Sequence, residues 1–289
     1  MPHILLAAVL WGLLGPASYV ALRDGVAPLE IAFWRAALAA PLFAVHAVAA
    51  GGGRAAFRAA RGDLPALAAF GVVGVSVFYG AYQLAVREGG AALAAVLLYT
   101  APAWVALLAR GVLGERLTPR RLLAVALTLG GVALVATAGG GPLRVGAAAV
   151  GWGLLSGLSY ALYYLFGRRY FARHPAPVVF TVALPVGALG LLPFVRFQET
   201  TTPAAWAAIV FVAVVPTYGA YLLYAAGLRR VDATRAATLA TVEPVVAAVA
   251  AYAAFGERLA PLAYLGGAVV LAGVLLSTGA AEARPAPRR

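Results

Sequence analysis

The chain has 289 residues, 63% of them hydrophobic and 11% charged, with a mean hydropathy of +0.91, which excludes an ordinary soluble domain. Its formal charge of +12 rests on 22 basic residues, all arginine, scattered through short connections with no basic stripe or stacking module, so the excess does not point to nucleic acid. The lack of cysteine excludes disulfides and thiolate metal sites, and no metal cluster, phosphate loop or nucleophile elbow appears.

A membrane span needs about 20 mostly apolar residues. Ten segments qualify: 3–22, 28–49, 64–87, 90–113, 119–138, 145–168, 176–196, 204–228, 232–255 and 261–280. Met1-Pro2-His3 leads into the first without a basic region, so a retained helix is expected there, not a signal peptide. Gly51-Gly52-Gly53, Gly139-Gly140-Gly141-Pro142 and His174-Pro175-Ala176-Pro177 read as turns or linkers. Pro16, Pro41, Pro102, Pro185, Pro193, Pro216 and Pro244 fall inside spans and predict kinks.

The spans hold few charges, and each is costly there. Arg35 stands in the second span, on one helical face with Ala39, Leu42 and His46. It cannot shuttle protons, so it either binds an anion or clamps the structure. The third span carries a stripe of Ser76, Tyr79, Gln83 and Arg87, and the sixth one of Trp152, Ser156, Ser159, Tyr160 and Tyr163, both at one-face spacing. Trp11, Tyr79, Gln83, Tyr99, Trp152, Ser156, Tyr160 and Tyr221 are the candidate substrate-binding residues. In the ninth span Thr234, Thr238 and Thr241 share one face and Glu243 projects opposite. Threonine can bond its own backbone, whereas Glu243 has no such escape and is assigned the interior. There it is either a proton-coupling carboxyl or a permanently paired structural one. Glu115 and Glu257 lie beside Arg116 and Arg258, where local capping and pairing is the expectation.

At a shift of 142 residues the chain repeats itself. Tyr79, Tyr82 and Arg87 return as Tyr221, Tyr224 and Arg229, Pro102 as Pro244, and Gly114-Glu115-Arg116-Leu117 as Gly256-Glu257-Arg258-Leu259. At a shift of 141, Trp11-Gly12-Leu13-Leu14 returns as Trp152-Gly153-Leu154-Leu155. Each copy has an odd number of spans, so the copies must face opposite ways across the bilayer. Numbering connections alternately from an inside N-terminus puts sixteen arginines inside and five outside (Arg23, Arg87, Arg144, Arg196 and Arg258), which sets both termini in the cytoplasm. The fold expected is an all-α integral membrane protein of ten transmembrane helices in two inverted five-helix repeats, 1–141 and 142–281, with a cytoplasmic tail at 282–289.

These features together resemble the drug/metabolite transporter superfamily: ten spans duplicated five plus five, Ala101-Pro102 and Glu243-Pro244 in the fourth and ninth, the two Gly-Glu-Arg-Leu steps, and Phe33-Trp34-Arg35-Ala36 in the second. The nearest branch is the EamA-type bacterial metabolite exporters. The resemblance implies a gradient-driven carrier or facilitator whose cavity is lined mainly by helices 1, 3, 4, 6, 8 and 9, with helices 5 and 10 at the periphery.

The expectation is an inner-membrane exporter of small organic metabolites, amino acids or related amphipathic compounds, working by alternating access with no cofactor, as a monomer or homodimer in the lipid bilayer, with protons as the coupling ion. The rivals are a uniporter or importer, an organic-cation exporter, and, from another class, a membrane-embedded enzyme acting on lipid-linked substrates. Ala101 is the counterpart of Glu243, and that mismatch is where chemistry is expected.

Overall fold

The computed structural model describes residues 1–50, 53–138, 145–255 and 260–278. The 51–52 turn, the 139–144 linker, the second Gly-Glu-Arg-Leu with Glu257 and Arg258, Arg144, and the tail with Arg284, Arg288 and Arg289 lie outside the described residues.

The described residues are helical throughout their regular elements, with no strand among them. Among the described residues, nine helices are long and apolar enough to cross a membrane: α1 (Pro2–Arg23), α2 (Pro28–Ala49), α3 (Ala55–Ala91), α4 (Leu93–Val112), α5 (Pro119–Thr137), α6 (Ala147–Tyr170), α7 (Ala176–Phe194), α8 (Pro203–Leu228) and α9 (Ala233–Ala254). A shorter apolar helix, α10, spans Pro261–Ser277. The connection expected before residue 64 is itself partly helical, over Gly53–Ala60, and runs into α3. Ala56 and Phe57 pack against the core while Arg58 is exposed, the division of an amphipathic helix lying along a surface.

Several helices are interrupted, and the interruptions shape the interior. α1 breaks at Leu13, α4 at Tyr99–Thr100 and α9 at Thr241–Val242. Pro102 and Pro244 do not kink a continuous helix, as expected from the sequence. They stand in the first turn of the half-helices Ala101–Val112 and Glu243–Phe255, where the missing N–H has no helical partner to lose. α3 and α8 each contain a wide π-helical segment, Val72–Val77 and Ala213–Gly219.

Glycine sets two close approaches. A Cβ on Gly131 of α5 would lie 2.6 Å from the Val270 nitrogen and 2.7 Å from the Gly266 oxygen of α10, so these two helices touch backbone to backbone. A Cβ on Gly12 of α1 would lie 2.9 Å from the Glu243 carbonyl oxygen, which seats α1 on the α9 break.

The polar contacts of the connections fall into two sets, one at each end of the bundle. At the end where α1 begins, His174 lies 2.7 Å from Asp63, the Arg229 Nε donates to the Phe171 carbonyl at 2.6 Å, and Arg121 pairs with Asp232 at 2.5 Å. At the other end, Glu30 accepts from the Gln198 amide at 3.1 Å and Asp24 from the Thr202 amide at 2.9 Å. Between them the half nearer the start of α1 is filled by aromatic packing. Tyr224 contacts Tyr163, Tyr164 and Phe171 at ring separations of 5.3–5.8 Å, and Ile4, Tyr164, Tyr224, Phe171 and Leu228 are fully buried.

Candidate functional site

In the other half of the bundle the helices part around a cavity of about 380 Å³, within the range of small-molecule sites. It extends from Glu243 and Tyr221 near the middle to Leu22 and Pro28, which flank the α1–α2 connection. The wall is chiefly aromatic and aliphatic. α1, α3, α4, α6, α8 and α9 all contribute, as the resemblance implies, and α5 and α10 do not. α2 contributes too, through Pro28, Ile31, Ala32 and Arg35, which the resemblance left out.

Arg35 is buried and held by three groups. Its Nε donates to Thr217 Oγ1 at 3.1 Å, an Nη2 hydrogen goes to the Tyr221 hydroxyl at 3.5 Å, and its guanidinium carbon lies 4.7 Å from the centre of the Tyr79 ring. Thr217 is fixed in turn by its bond to the Val212 carbonyl at 2.8 Å, a reach of five residues that the π segment makes available. Tyr79 and Tyr221, the pair related by the 142-residue shift, meet hydroxyl to hydroxyl at 2.9 Å. Arg35 therefore ties α2 to α8 and also borders the cavity.

Glu243 opens the second half of α9 and faces the same cavity. Tyr99, at the α4 break, borders the same cavity. No direct ion pair joins Glu243 to Arg35 among the described residues, so the two ionisable groups share one cavity unpaired. The break before Glu243 also resolves the conflict of faces within α9. Thr238 and Thr241 bond the carbonyls of Thr234 and Thr238 at 3.0 and 2.6 Å and are buried against neighbouring helices, while Glu243 starts a new helical phase.

Of the eight candidate substrate-binding residues, Trp11, Tyr79, Gln83, Tyr99, Tyr160 and Tyr221 border the cavity. Trp152 and Ser156 do not, and that placement is corrected. Trp152 is 37% exposed on the outside of α6, and Ser156 is buried away from the cavity, donating to the Gly153 carbonyl at 2.8 Å. The stripe on α3 divides likewise. Ser76 bonds the Gly187 carbonyl of α7 at 2.8 Å, and Arg87 is exposed in a pair with Glu88. Glu115 caps, but not locally: its carboxylate accepts from the Ala233 and Thr234 amides at 2.7 and 3.2 Å, at the start of α9. His46 is held by the Tyr218 hydroxyl at 2.8 Å.

Sequence reasoning missed Ser18, Phe78 and Tyr82 on the wall. Phe78 stacks on Tyr160 with ring centres 4.9 Å apart. Tyr82 was findable, since it belongs to the repeat and stands one turn from Tyr79.

Comparison with known proteins points to a family of transporters. The model of the EamA-like transporter family matches residues 2–137 and again residues 147–279. An uncharacterised transporter of Archaeoglobus fulgidus is 32% identical over 71% of this chain and 75% of its own length. A protein of Streptantibioticus cattleyicolor named "Probable terminal-alkyne amino-acid exporter" is 30% identical over 94% of this chain and 91% of its own. A solved crystal structure shares the fold with a TM-score of 0.79 at 22% identity, covering 96% of this chain and 95% of that one.

Proposed function

The chain belongs to the EamA-like transporter family, and from that premise we propose that it exports small organic metabolites, amino acids or related amphipathic compounds, across the inner membrane. The observation that carries this reading is the cavity itself: an aromatic pocket enclosed by apolar helices, with a carboxylate placed where α9 is broken. Broken helices that present polar groups at mid-membrane are a recurring construction of carriers. The relative from Streptantibioticus supports the substrate class by its name, and one from Salmonella typhimurium, named as an inner membrane transporter and 27% identical, supports the location.

The two family matches support ten spans in two inverted copies, and the arginine bias supports cytoplasmic termini. With that orientation the aromatic packing seals the cytoplasmic half and the cavity belongs to the outer half. Alternating access then consists of opening the seal around Tyr163, Tyr164 and Tyr224 while the outer connections close over the site. Glu243 is the coupling group: it carries a proton or stands beside a bound substrate, and exchange of one for the other links export to proton entry.

Proteoliposomes loaded with labelled amino acid test this. Efflux faster with an imposed pH gradient than without it, and a loss of that acceleration in Glu243→Gln, are expected. Equal rates with and without the gradient in the unsubstituted protein would leave a uniporter. An intact pH response in Glu243→Gln would remove that residue's role.

A further inference from the structure

We propose that Arg35 is a specificity-determining residue that receives the carboxylate of a zwitterionic substrate, with Glu243 across the same cavity facing its ammonium group. This rests on the export reading above and narrows its substrate to free amino acids. A guanidinium has five N–H donors. Arg35 spends one from Nε on Thr217 and one from Nη2 on Tyr221, which leaves both Nη1 donors and one on Nη2. One free donor on each terminal nitrogen is the arrangement that takes a carboxylate in two parallel bonds.

The hold on Arg35 looks costly for a purely structural clamp. A buried guanidinium is stable when its hydrogen bonds are complete, and this one borders a cavity with three donors unspent. Its obvious partner, Glu243, lines the same cavity yet forms no ion pair with it. Two groups able to carry opposite charges, standing unpaired on the wall of one small cavity, are complementary to a molecule carrying both. A further orphan stands on the same wall: the Ser18 hydroxyl is buried and without a hydrogen-bond partner. The aromatic remainder, with Trp11, Phe78, Tyr82 and Tyr160, suits an apolar side chain.

The test is ligand affinity of the purified full chain, read from the concentration dependence of its melting temperature. The probes are L-phenylalanine, phenethylamine, which keeps the ammonium and lacks the carboxylate, and N-acetyl-L-phenylalanine, which keeps the carboxylate and lacks the ammonium. Phenylalanine is expected to bind about tenfold or more tighter than either analogue, the effect of one charge-assisted contact. Arg35→Gln is expected to bring phenylalanine to the affinity of phenethylamine, and Arg35→Lys to restore part of the difference. Arg35 also joins α2 to α8, so the comparison of the three probes on the unsubstituted protein is decisive by itself. Phenethylamine binding as tightly as phenylalanine overturns the proposal while leaving an exporter of organic cations. A preference for phenylalanine that survives in folded Arg35→Gln overturns it too. Stabilisation by none of the three removes the amino-acid reading of the previous section and this proposal with it.

Discussion

The breaks in α4 and α9 occupy the same place in the repeat and do different work. Tyr99–Thr100 and Thr241–Val242 stand 142 residues apart, and each is followed by a half-helix with proline in its first turn. Each is also covered by glycine from the first helix of the opposite copy, Gly12 on the α9 break and Gly157 against the Leu97 carbonyl at the α4 break. The backbone device is shared. What differs is the residue that opens the new half-helix: Ala101 is 1% exposed within the packed core, whereas Glu243 borders the cavity. A break is therefore scaffold, and chemistry enters through one side chain added to one copy.

That comparison can be broken. Ala101→Glu gives α4 the acid that α9 has, but in a filled space with no partner for a carboxylate. A loss of about 3 kcal/mol or more is expected, seen as failure to yield a monodisperse, folded protein in detergent. A well-folded Ala101→Glu would show the two breaks to be interchangeable. A smaller effect sharpens the role of α9. Glu115→Ala removes the carboxylate that caps its first half-helix and should cost about 1–2 kcal/mol, measured as a lower melting temperature with substrate affinity unchanged. The smallest effect concerns the link between the breaks. Tyr99→Phe deletes a hydroxyl on the wall of the cavity that Glu243 also borders, worth about 1 kcal/mol, and should change efflux rate by about fivefold or less while the response to a pH gradient persists.

The spans were legible because a membrane helix must be apolar over its whole length, and that pattern survives without knowledge of its neighbours. Arg35 and Glu243 were legible for the same reason, as charges in a place where charge is costly. The breaks were not. Proline within an apolar run looks the same whether it kinks one helix or begins another, and the peptide geometry at Tyr99–Thr100 leaves no residue signature. Trp152 and Ser156 were misplaced because one-face spacing along a helix says nothing of which neighbours that face meets. Trp11 packs its ring against Tyr221 and Tyr224 at 6.2 and 5.5 Å, while Trp152, its match at a shift of 141, faces outward. The amphipathic helix Gly53–Ala60 was hidden behind the glycines that precede it.

The seating of Gly12 against α9, and of Gly157 against α4, has a consequence for biosynthesis. α1 is made long before α9, the helix that its glycine surface fits. The fourth helix likewise waits for the sixth, and α5 for α10. During synthesis the early helices hold polar groups such as Arg35 without Thr217 and Tyr221, both supplied by α8. Half of this chain is thus half of an enclosure, with no inside of its own. The cavity comes into being only when the late helices arrive.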